Sequence, residues 1–186
     1  MSYLGRSWFK RTGLAGFLTG CSLAFALSGV SGCAGSTDEP EVLKANVKAG
    51  DMPAGGDWTG VYYSPTYGHL HLIKSGNTAS GAWRTASGDK FGELNGEVNG
   101  DLLRYEWTER TIGMVGPSSE SHGKGYFKYI VPPGDNVEHE IKGEWGLNDS
   151  DAGNPWEAIK QRNMIPDPKS VKPDETQQVN DVESWD

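Results

Sequence analysis

Glycine punctuates this chain so densely that a long helix has nowhere to run. It occupies 26 of the 186 positions, roughly twice ordinary usage, and each Gly inside a helix costs about 1 kcal/mol against Ala. Between the glycines the sequence alternates. Across residues 57–162, apolar side chains take turns with polar or small ones, which is the pattern of strands with one face inside. Strands are expected near 57–63, 68–74, 79–85, 90–98, 101–109, 125–131, 137–146 and 156–162, seven or eight in all. Ser75-Gly76-Asn77 and Asn99-Gly100 supply the positive φ of tight hairpin turns, and 132–136 (PPGDN) reads as a longer hairpin loop.

A repeat underlies the alternation. Gly56-Asp57-Trp58, Gly81-Ala82-Trp83 and Gly143-Glu144-Trp145 share G-x-W, and Trp107 takes the same place without the Gly. The spacing matches two strands and two turns, so every second strand is expected to bring an indole to a similar height. Gly92, Gly96 and Gly100 recur every fourth residue and mark one strand face for close approach or strong coiling. Short meandering strands that coil can close on themselves, which removes exposed edges. The expected fold is all-β: a small antiparallel up-and-down barrel over 56–162. A flexible tether over 33–55 precedes it, with a short helix over 41–49 as the alternative there. A disordered acidic tail over 163–186 follows. Trp185 in that tail is read as incidental, the alternative being a docking handle.

The N-terminus reads as an address. Arg6, Lys10 and Arg11 precede an uncharged run over 13–30, the layout of an export signal. That run ends in Val30-Ser31-Gly32-Cys33, which resembles the lipobox of bacterial lipoproteins. The resemblance implies removal of residues 1–32, lipid on Cys33 and attachment to a membrane. Ala34 after the cysteine implies the outer membrane of the cell envelope. Leu18-Thr19-Gly20-Cys21 fits the same pattern but leaves an apolar stretch behind it where a tether should be polar. An uncleaved membrane-spanning helix and ordinary cleavage are the alternatives. With Cys33 modified and Cys21 removed, no disulfide framework applies.

The opening G-x-W, the Gly-punctuated meander and the closing pair 141–147 (IKGEWGL) and 154–158 (NPWEA) resemble the small β-barrels of the lipocalin and avidin type. That resemblance implies a ligand site in the barrel lined by Trp58, Trp83, Thr85, Trp107, Trp145 and Trp156. The polar half of an avidin site is not echoed, and Met164 stands near the place of its late Asp, so biotin is not the expected ligand. The alternative is that these indoles simply fill the core, since the interior of a small barrel is just wide enough for side chains.

Other chemistry is thinly supported. The chain's formal charge is -8, and three basic and no acidic groups before residue 34 leave -11 on the remainder, which opposes nucleic-acid binding. His69 and His71 share a strand face, but two ligands do not complete a zinc site. With His122 and His139 elsewhere, the pair is read as facing solvent opposite Leu70 and Leu72. The loop 148–151 (NDSD) lacks a calcium loop's later positions, which fall on Asn154 and Lys160. Glu138 and Glu140 could pair for acid/base work but read as a solvated face. No G-x-S-x-G, Walker-type loop or HExxH occurs.

The function expected is therefore non-catalytic: a membrane-anchored lipoprotein whose barrel binds a small apolar ligand or an envelope component, with no cofactor and no metal. A structural or assembly lipoprotein read by protein partners through a loop over 109–124 is the second reading. A hydrolase built on Glu138 or Glu140 is the third.

Overall fold

The computed structural model describes residues 41–174. The N-terminal run read as an export signal, Cys21, Cys33 and Trp185 lie outside them. Eight strands follow one another: β1 (Gly60–Ser64), β2 (Gly68–Ser75), β3 (Thr78–Arg84), β4 (Lys90–Asn99), β5 (Leu102–Thr111), β6 (Glu120–Ile130), β7 (Glu140–Leu147) and β8 (Asn154–Gln161). Each pairs antiparallel with the next, and β8 returns to β1 through Val61↔Gln161, Tyr62↔Lys160 and Tyr63↔Ile159, closing the barrel. Closure leaves no strand edge to guard.

The up-and-down order puts the loops 65–67, 85–89, 112–119 and 148–153 at one end, called the mouth here. The turns at 76–77 and 100–101 and the loop 131–139 lie at the other, the floor. The loop expected over 109–124 shrinks to 112–119, with a single 3-10 turn at Pro117–Ser119. The ladder runs on through Glu109↔Ser121 and Arg110↔Glu120, where an ion pair joins the strands. At a barrel rim both faces meet water, so polar residues continue a strand there without an alternating signal.

Large rings face glycine inside the barrel. Trp83 pairs with Gly92, Tyr105 with Gly96 and Gly125, Trp107 with Gly123, and Trp156 with Gly143. A Cβ on Gly92 would fall 2.1 Å from Trp83 Cζ2, and one on Gly125 would fall 2.6 Å from Tyr105 Cζ. At Gly92, Gly123 and Gly125 the ring lies directly on the glycine, whereas at Gly96 and Gly143 the neighbouring strand's backbone makes the close approach. Gly92 and Gly96 share the inner face as the spacing predicts. Gly100 does not, because it turns the β4–β5 hairpin at φ 55.

The floor is closed by Trp58. Its Nε1 donates to the Gly100 carbonyl at 3.0 Å, and its ring meets Tyr129 edge-on at 5.2 Å. Beside it, the Tyr62 hydroxyl donates to the Trp58 carbonyl at 2.8 Å. The Lys160 ammonium sits 5.7 Å from the centres of both the Tyr62 and Tyr129 rings and donates to the Asp57 carbonyl. Burial lowers the Lys160 pKa and raises that of Tyr62.

The described parts of the two terminal segments correct the expectation of a free tether and a free tail. Residues 41–50 form no helix. They run extended from mouth to floor along the outside of the barrel. Leu43 and Ala45 donate their backbone N–H to Ser150 Oγ and Asp151 Oδ1. Arg104 and Lys128 reach the carbonyls of Val47 and Lys48, and Asp101 accepts from the Gly50 N–H. Burial alone would raise the Asp101 carboxyl, but the Lys128 ammonium and the Gly50 N–H outweigh it and hold its pKa below the ordinary value.

After β8 the chain crosses the outside of β2 to β4. The Asp167 N–H donates to His71 Nδ1 at 2.9 Å, and Lys172 pairs with Glu93. His71 is therefore buried, not solvent-facing, because the returning chain covers it. Burial first, and the neighbouring His69 second, lower its pKa below 6.5.

A pH dependence follows. The unfolded chain takes up the His71 proton before the folded one does, so this contribution is complete above about pH 6.5 and is lost as pH falls through the lowered folded value. Acidification is expected to shift the Asp167 amide resonance away from its hydrogen-bonded position. His71→Phe should remove that shift, and an amide indifferent to both would contradict the contact.

Candidate functional site

Four of the six residues expected to line a ligand site meet at the mouth. Trp83 on β3, Trp107 on β5, Trp145 on β7 and Trp156 on β8 all face inward. Trp83 and Trp156 meet edge-on at 5.1 Å, as do Trp107 and Trp145 at 5.2 Å. Tyr67, from the β1–β2 turn, lies 4.5 Å from Trp156 and accepts the Trp145 N–H at 2.9 Å. Its own hydroxyl donates to the Pro155 carbonyl at 3.2 Å. Together these rings form a cup.

Trp58 and Thr85 stand apart from it. Trp58 lies at the floor, because it precedes β1 where the other indoles sit near the mouth ends of their strands. The Thr85 hydroxyl is engaged in its own turn, donating to Asp89 Oδ1 at 2.8 Å and accepting from the Lys90 N–H at 3.1 Å.

Below the cup the barrel is filled. Phe127 stacks on Tyr105 at 4.8 Å and meets Trp156 at 5.2 Å, and Leu70, Leu72, Leu94, Leu103 and Ile141 complete the core. Among the described residues, the void between Tyr67, Glu109 and the four indoles measures about 20 Å³, room for one oxygen-sized group.

The polar atoms around that void are unevenly served. The Trp107 N–H donates to the Lys124 carbonyl at 3.3 Å. Among the described residues, the N–H groups of Trp83 and Trp156, and the Tyr105 hydroxyl below them, are buried and have no hydrogen-bond partner. A buried donor left unpaired costs about 1–3 kcal/mol, and two of the four indoles that line the void carry one.

At the rim, Glu109 and Lys90 also point inward, joined Nζ to Oε1 at 2.9 Å. That bond raises the Lys90 pKa. Sequence reasoning missed Tyr67, Lys90 and Glu109. Alternation places Glu109 two residues beyond Trp107 and Lys90 two before Gly92, hence on the inner face, but inward charges look misplaced until the strand ends are seen to reach solvent.

The other candidates separate. Glu138 precedes β7 and pairs with Arg162, whereas Glu140 pairs with Lys142, so no carboxylate dyad forms. Asp149 and Asp151 are held by Lys124 and Arg104. Among the described residues, no group of three or more His, Cys, Asp or Glu is placed to hold a metal ion, and no helix is long and apolar enough to cross a membrane. No protein-family model, no curated protein and no solved structure matches the chain.

Proposed function

We propose that this chain is a non-catalytic binding protein held at the cell envelope through its N-terminal segment, and that the aromatic cup is its binding site. The ligand is a small apolar group carrying a hydrogen-bond acceptor, either a free molecule or a group displayed by an envelope component. One observation carries the reading: two of the four indoles that line an oxygen-sized void at the end of an otherwise filled barrel have unpaired N–H groups. An acceptor oxygen fits the void and satisfies those donors, while the ring or chain that bears it rests on Tyr67 and the half-buried Trp145. The filled interior means that a ligand is gripped by one end rather than engulfed.

Benzamide, a ring with one carbonyl acceptor, is a suitable probe. Titrating the full chain should change its tryptophan emission saturably. Trp145→Ala should weaken that binding at least about tenfold, the loss of roughly 1.4 kcal/mol, while Trp58→Phe at the floor leaves it unchanged. A non-saturable response, or equal effects of both substitutions, would defeat the proposal. The filled interior would then favour the assembly reading, in which the barrel is a rigid spacer recognised from outside.

A further inference from the structure

We propose that the mouth of the barrel rests on a lipid bilayer, with the tip of the 112–119 loop set into the headgroup layer. The inference rests on the membrane attachment proposed above and adds which end of the barrel meets the lipid.

The path of the chain supplies the first argument. Leu43 and Ala45 are fastened to Ser150 and Asp151 in the β7–β8 loop, so the described chain begins at the mouth end. Seven residues lie between Cys33 and Glu41, and the eight steps they make span at most about 29 Å even fully extended. An anchor at Cys33 therefore keeps the mouth close to the surface.

The surface chemistry of that end supplies the second. The loop 112–119 (IGMVGPSS) carries no charge. Its tip, Met114 and Val115, is 52% and 68% exposed, raised between Gly113 and Gly116 in positive-φ conformations. Leu147, in the strand end beside it, is 53% exposed. Six of the charges around this rim are paired, Lys90 with Glu109, Arg110 with Glu120 and Lys124 with Asp149, while Asp89 is held by the Thr85 and Ser87 hydroxyls, so the rim offers no cationic patch to an anionic headgroup layer. The floor also exposes apolar side chains, Val137 and, after β8, Met164 and Ile165, the last at 88%, but they lie among Asp135, Glu138 and Arg162, and the described N-terminal segment begins at the other end. For a chain this acidic, the uncharged apolar tip at the mouth is the surface a bilayer accepts.

The experiment places a thiol-reactive fluorophore at Val115→Cys or Asp135→Cys in the full chain. The labelled protein is reconstituted in vesicles of phosphatidylethanolamine and phosphatidylglycerol containing nitroxide-labelled lipid. With residues 1–32, and so Cys21, removed and Cys33 acylated, the introduced thiol is the one labelled, which intact mass verifies. The proposal predicts co-flotation with the vesicles and quenching at position 115 at least about threefold stronger than at 135, as expected for insertion of about 5–10 Å. Flotation with equal quenching, or with stronger quenching at 135, overturns the orientation while leaving the attachment intact. A chain that does not float overturns both.

Discussion

Gly92→Ala is expected to destabilise the barrel by about 3 kcal/mol, the upper range for overpacking a core, although it adds a single methyl group. The added Cβ would fall 2.1 Å from Trp83 Cζ2, and that ring is wedged against Trp156 in a filled interior, so it has no rotamer to escape into. Removing Gly flexibility ordinarily stabilises a strand slightly, which makes the sign of the effect diagnostic. Urea unfolding measures it. In the double variant Gly92→Ala/Trp83→Leu the clash is relieved, and the two changes should couple by about 1–2 kcal/mol. A Gly92→Ala cost below about 1 kcal/mol, or strict additivity, would mean that the ring does not lie on this glycine.

Trp156→Ala should cost still more, about 3–5 kcal/mol. Trp156 is buried and touches Tyr67, Trp83 and Phe127 at once, with ring centres 4.5, 5.1 and 5.2 Å away. It therefore ties the cup to the core, and its loss leaves a void that closed strands cannot collapse into. Against a total stability of typically about 5–15 kcal/mol, one such truncation brings the barrel near unfolding. Tyr63→Ala on the outer face, at 38% exposure, should cost clearly less, about 1 kcal/mol. Equal melting shifts for the two would place Trp156 outside the core.

The closed barrel was legible because its signals are local. Alternation, Asn-Gly turns and glycine spacing each act within a few residues, and together they leave one economical arrangement. The meeting of Trp83, Trp107, Trp145 and Trp156 was legible for the same reason, since a repeat of two strands and two turns returns to one height. Trp58 shares the G-x-W motif but precedes its strand instead of ending one, so the motif that grouped it with the others placed it at the opposite end. Tyr67, Lys90 and Glu109 were not legible because their roles depend on where strands stop, and the rim ladder past Glu109 carries no alternating pattern. The outer segments were misread for a related reason. Residues 41–50 and 163–172 bury little apolar surface of their own and are held by single contacts to distant partners such as Asp151, Asp101 and His71, which no local pattern announces.

The central claim is that the Trp83 and Trp156 N–H groups await an acceptor at the mouth while the Trp58 N–H is already bound to Gly100. The most direct test is to follow the seven indole N–H resonances of the nitrogen-15-labelled chain during a benzamide titration. Saturable downfield movement of the Trp83 and Trp156 signals, with Trp58 stationary, is the predicted result. Movement of Trp58 alone, or seven signals that all stay in place at saturating probe, would contradict it.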